Sequence, residues 1–190
     1  DAVVPVNKEF LGQDHDYQDV CVLAFPTPEG DDLPPHVPVK IESNNEAVPW
    51  ERVFDPKQNL NLPAQGGVGV ARRLRDSQVG KVNGQDSYVQ VRFAEPVTLR
   101  SFRLPPISHM MGGGQIPRTD VRLIVETVEG GRRSPVAEIP LPDTCWMDRQ
   151  YDVTLALPET TTRAVRGTFA GEHTPSVPHL YFQRQPRLDK

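Results

Sequence analysis

Trp146 is the residue best placed for recognition chemistry. Within Asp143-Thr144-Cys145-Trp146-Met147-Asp148-Arg149 a large aromatic face stands among carboxylates and a guanidinium. Sugar binding needs that combination, because a flat ring covers the apolar side of a pyranose while hydrogen-bonding side chains fix its hydroxyls. Trp146, Asp148, Arg149 and the nearby Tyr151 form the first candidate ligand-binding group. Trp50, between Pro49 and Glu51-Arg52, is the second, and Tyr88 is a further aromatic of the same kind. Each has a structural alternative: a turn tryptophan can plug the end of a β-sandwich, Trp50 can serve the core, and Tyr88 opens a strand and reads as packing.

Bond-breaking chemistry is not expected. Glycoside hydrolysis needs two carboxylates held about 5 to 10 Å apart across a cleft, and the acids here fall mostly in turns or as the Asp31-Asp32 pair. No serine lies in a GxSxG phrase. The five histidines are scattered, with no HExxH or CxxC spacing, so no zinc site is expected. Cys21 and Cys145 are the two cysteines, too few for a disulfide scaffold; a buried free thiol and a single disulfide both stay open.

The elements that position these residues read as strands. The stretch 87–105, SYVQVRFAEPVTLRSFRLP, alternates polar and apolar positions and reads as two strands joined by a Glu95-Pro96 turn. Further strands are expected at 17–28, closed by two prolines, and at 37–48, 119–129, 134–141, 149–157, 162–169 and 179–183. Glu129-Gly130-Gly131-Arg132 predicts a hairpin turn. Between 50 and 86 the chain reads as irregular, with one helical turn possible around 76–84. Twenty prolines and fourteen glycines in 190 residues oppose long helices. About eight or nine short strands without a fixed repeat predict an all-β antiparallel sandwich or jelly roll, not a propeller or solenoid.

Length allows one domain with a sizeable core. Residues 1–36 read as an N-terminal connector with an extra strand, and 37–190 as the sandwich. A formal charge of -4 leaves no basic footprint, so neither nucleic acid nor a membrane surface is an expected partner, and Arg72, Arg73 and Arg75 form only a local cluster. No apolar run approaches the roughly 20 residues of a membrane span. The opening DAVVPVNKEF lacks the pattern of a signal peptide and suggests a mature product or an excised segment.

From about Val37 onward, the phrases YVQVRFAEPVTLRSFRL and TTRAVRGTF resemble a galactose-binding-like, or discoidin-like, domain. Upstream, YQDVCVLAFPTP resembles a segment of very large secreted glycoside hydrolases similar to the family 106 alpha-L-rhamnosidases. Together these resemblances imply a non-catalytic carbohydrate-binding or accessory module of a secreted or periplasmic polysaccharide-degrading enzyme. Its partners would be a polysaccharide or oligosaccharide and neighbouring domains of the same enzyme. The galactose-binding-like resemblance also implies a structural calcium, for which Asp55, Asn59 and Asn61 offer oxygens. The family's Asp-Gly phrase is Asp55-Pro56 here, and its late acidic residue has no counterpart in HLYFQRQ.

Two other readings accompany this one. A sandwich that only braces a catalytic domain would bury both tryptophans. A discoidin-like module that binds a protein would expose an apolar loop around His109, Met110 and Met111, where the glycines at 112–114 permit close approach.

Overall fold

A computed structural model describes residues 34–58, 76–104, 121–141, 153–172 and 175–185. Six strands in this part form one antiparallel sheet: β1 (Lys40–Ser43), β2 (Ser87–Leu104), β3 (Arg122–Glu129), β4 (Arg132–Pro140), β5 (Val153–Ala170) and β6 (Tyr181–Gln183). Their order is β1-β2-β5-β3-β4, with β6 on β2. The only helix longer than three residues among those described is the single turn α1 (Trp50–Val53), so the all-β expectation holds. The expected strand at 17–28 lies outside the described residues, as do Cys21, Cys145, the arginine cluster at 72–75 and the loop carrying His109, Met110 and Met111.

The sequence reading divided the two longest strands, and the structure corrects it. Ser87–Leu104 is one strand that runs past Glu95-Pro96 without reversing, and Val153–Ala170 runs past Pro158. Both prolines sit at register breaks. Between the pairs Arg92↔Ala164 and Val97↔Thr162 the surplus residues lie on β2, whereas between Leu99↔Thr160 and Ser101↔Ala156 they lie on β5. Proline has no N–H for the ladder, so the chain bulges there and pairing resumes beyond it. Each bulge carries an acid paired to an arginine of the opposite strand, Glu95 with Arg163 at 2.9 Å and Glu159 with Arg100 at 2.8 Å. These exposed pairs add little stability.

The second break also changes which side chains face inward. Up to Leu99 the buried positions of β2 are odd-numbered, Val89, Val91, Phe93 and Leu99; beyond it Ser101, Phe102 and Leu104 are buried, so both phases are covered there. The irregularity lets two halves of a bent sheet, one bearing β1, β3 and β4 and the other β6, face a common core in the manner of a sandwich. Phe182 of β6 packs against the rings of Phe54, Phe93 and Phe102, with centroids 5.2 to 5.5 Å apart. Segments outside the strands close the core through Val48, Trp50, Val53, Val79, Val177 and Leu180.

The glycine hairpin forms as expected. Glu129 pairs with Arg132 across Gly130 and Gly131, whose φ angles of 55° and 83° are those a two-residue primed turn requires.

His36, preceding β1, gives the fold a pH dependence. Its backbone N–H donates to the Phe182 carbonyl at 2.9 Å, and its Nε2 lies 3.3 Å from the Thr98 carbonyl. Burial, and secondarily the charge of Arg184, hold the imidazole below its usual value of 6.5, against the opposing effect of the Thr98 bond. The unfolded chain therefore takes the proton more readily than the native one. Stability should fall as the pH drops below about 6.5 toward the native pKa and level off beneath it. Urea midpoints compared at pH 7.5 and 5.5 check this: the native protein should lose more of its midpoint than His36→Gln, and equal losses would refute it.

Candidate functional site

The strands leave one sheet face polar. Tyr88, Gln90 and Arg92 alternate with the buried valines of β2 and point away from the core, beside Arg166 and Thr168 of β5 and Glu126 of β3. Register places Glu42, Gln90, Arg166 and Glu126 in one row across four strands, and Tyr88 with Thr168 and Ile124 in the next row on the same face.

Three consecutive residues at the end of β1 and just beyond it, Ser43, Asn44 and Asn45, hold this region. Asn44 Oδ1 accepts the Tyr88 backbone N–H at 2.8 Å, and its Nδ2 donates to the Asp86 carbonyl at 3.0 Å. The Ser43 hydroxyl donates to the Tyr88 carbonyl at 2.5 Å. Buried Asn45 donates through Nδ2 to the Ser87 hydroxyl at 3.0 Å, and Ser87 in turn donates to the Gly80 carbonyl. The start of β2, and Tyr88 with it, is thus tied at its backbone on both sides of the residue.

Over the Tyr88 ring lies the Arg166 guanidinium, with Cζ 3.4 Å from the ring centroid. Such a contact restrains the guanidinium against the ring. The Arg166 Nε is enclosed without a hydrogen-bond partner. An enclosed donor left unmatched costs about 1–3 kcal/mol, more when charged, which native structures rarely retain without reason. Neighbouring Gln90 donates to Glu42 at 3.0 Å, and Glu42 also pairs with Lys40 at 2.5 Å. Both effects of Lys40, the hydrogen bond and the charge, hold the Glu42 carboxyl below its usual range.

The residues singled out from the sequence fare differently. Trp146, Asp148, Arg149 and Tyr151 lie outside the described residues. Trp50 is not the exposed platform considered for it. Its side chain is 4% exposed, packs beside Phe54 and Phe169, and donates from Nε1 to the Asn45 carbonyl at 2.9 Å. A helical turn directs the indole inward, and its one polar atom is satisfied there. Tyr88, read as packing, instead presents its side chain on the polar face. Of the proposed calcium ligands, Asp55 accepts the Lys57 backbone N–H at 2.9 Å, while Asn59 and Asn61 lie outside the described residues. Among the described residues no three His, Cys, Asp or Glu side chains converge as a metal site would require. No helix in the described part is long and apolar enough to cross a membrane.

Arg166 was missed as a functional candidate because the sequence shows only an alternating strand, Arg163-Ala164-Val165-Arg166. The available signal was the outward phase that Arg166 shares with Tyr88 and Gln90, and it becomes legible only once β2 and β5 are paired in register.

No family model matches the chain, and no curated protein matches it. Solved structures with similar folds include SpGH29, at TM-score 0.49 and 8% identity, aligned over 79% of this chain and 27% of that one. The family 32 carbohydrate-binding module of AlyQ, solved with 4,5-unsaturated mannuronic acid, is similar at TM-score 0.48 and 9% identity over 80% of this chain and 98% of that one. A rhamnosidase from Novosphingobium sp. PP1Y is similar at TM-score 0.40 and 14% identity, over 60% of this chain and 10% of that one. The chain thus spans about a quarter of the first protein and a tenth of the third, and nearly all of the AlyQ module.

Proposed function

We propose that this chain is a non-catalytic carbohydrate-binding or accessory module of a secreted or periplasmic glycoside hydrolase, with 37–190 as the sandwich and 1–36 as a connector. The observation that carries the reading is the outer sheet face, where a tyrosine ring, an amide and a stacked guanidinium are held together on a backbone-tied frame. The guanidinium occupies the ring face, so its donors and the neighbouring amide would fix sugar hydroxyls while the ring edge adds apolar contact. The Trp146 loop, with Asp148, Arg149 and Tyr151, is proposed as the second contact region.

The alternative is a sandwich that braces a catalytic domain without binding free glycan, and the burial of Trp50 favours it.

Calorimetric titration with a panel of neutral and acidic poly- and oligosaccharides separates the two. Saturable heat, weakened about tenfold by Tyr88→Ala or Trp146→Ala, is the expected result. Absence of heat with every glycan, from a sample shown to be folded, would leave the bracing role.

A further inference from the structure

We infer that Arg166 and Arg92 form a subsite for the anionic group of an acidic glycan, a uronate carboxylate or a sulfate ester; the inference rests on the carbohydrate-binding reading above. Three carboxylates on and beside this face already have their cations: Glu42 pairs with Lys40, Glu126 with Arg133, and Glu138 with Arg122. Arg92 and Arg166 have no ion-pair partner within 4 Å among the described residues.

Register brings these two arginines together. Arg92 stands opposite Ala164, and Arg166, two residues further along β5, stands opposite Gln90. The arginines are therefore diagonal neighbours with their Cα atoms about 7–8 Å apart. Ala164, opposite Arg92 and two residues before Arg166, is itself only 1% exposed, so an anion would be held by the guanidinium ends and not in a recess over the methyl group. Lys40, opposite Arg92 on β1, is engaged by Glu42, so the two arginines carry the subsite. Like charges this close repel, and an anion seated between them removes the repulsion.

Arg166 is prepared for that ligand. Its guanidinium is held against the Tyr88 ring, and a guanidinium fork matches the paired oxygens of a carboxylate or sulfate. The whole chain carries a formal charge of -4, so long-range attraction does not explain retention of an acidic polymer. Recognition would have to be local and salt-sensitive.

Four ligands titrated into the folded protein test the subsite: polygalacturonic acid, its fully methyl-esterified form, a sulfated galactan and the desulfated product. The protein should bind at least one acidic member about tenfold more tightly than its neutral counterpart, with affinity falling as salt is raised. Preference for polygalacturonate alone assigns a carboxylate, for the sulfated galactan alone a sulfate, and for both a general anion site. Arg166→Gln should remove the preference, and Arg166→Lys, which keeps the charge but not the fork, should restore it only in part. Arg92 is exposed, so Arg92→Gln keeps the test open if substitution at Arg166 unfolds the chain; it should reduce the preference about threefold or more. Equal affinity for acidic and neutral members, or an unchanged preference in the folded variants, would overturn the subsite while leaving the carbohydrate-binding reading in place. Failure of all four ligands, and of the wider neutral panel, would overturn both.

Discussion

Phe182→Ala should lower the stability of the folded chain by about 3–5 kcal/mol, the range for deleting a buried phenyl ring. Phe182 is 3% exposed and makes edge contacts with Phe93 and Phe102 and a stacked contact with Phe54. Those three rings come from both halves of β2 and from the segment after α1, so one side chain joins its ladder partner Phe102 to Phe93 and Phe54 elsewhere in the core. The cavity left by alanine cannot collapse cheaply, because the backbone around it is fixed by the pairing of β6 with β2 and by the His36 N–H bond to the Phe182 carbonyl. Against a typical domain stability of about 5–15 kcal/mol, the variant would retain a small margin. Urea unfolding checks this directly. A loss under about 1 kcal/mol would mean that Phe182 is not the junction of the core.

Trp50→Ala should destabilise by a similar amount, about 3–5 kcal/mol, and for a reason that bears on function. The indole fills the space beside Phe54 and Phe169, and its N–H satisfies the Asn45 carbonyl. Trp50→Phe retains a ring but removes that hydrogen bond, and should cost about 1–3 kcal/mol. Neither change should alter glycan affinity in protein that remains folded, because Trp50 has no solvent-facing surface to offer a sugar. Fluorescence in a Trp146→Phe background isolates Trp50. Its emission should be blue-shifted, shielded from soluble quenchers and indifferent to glycan, and a glycan-dependent change in that background would return Trp50 to the binding surface.

Both predictions concern residues whose types were readable but whose roles were not. A tryptophan flanked by Pro49 and Glu51-Arg52 has the same local sequence whether it faces water or a core, since the choice depends on what packs against a single helical turn. Here the covering partners are distant in sequence, Phe169 on β5 being one of them. Tyr88 illustrates the converse. Alternation in β2 places it on the face opposite Val89 and Val91, but only the pairing with β5 shows that this is the polar face and that Arg166 lies over the ring.

Local physics carried much of the fold. Period-two alternation in 87–104 and 122–129, the Gly130-Gly131 turn and the abundance of proline are short-range constraints, and each led to the observed antiparallel strands. By itself the sequence therefore determined an all-β chain and the hairpin of β3 with β4. Tertiary structure alone decided that Glu95-Pro96 and Pro158 are bulges within continuous strands, because a proline interrupts a ladder locally and only the partner strand determines whether the chain reverses or continues. It decided as well that Trp50 is core and that Arg92 and Arg166 share a face with no ion pair within 4 Å among the described residues. Such properties belong to pairs of residues brought together by register, and no single stretch of sequence contains both members.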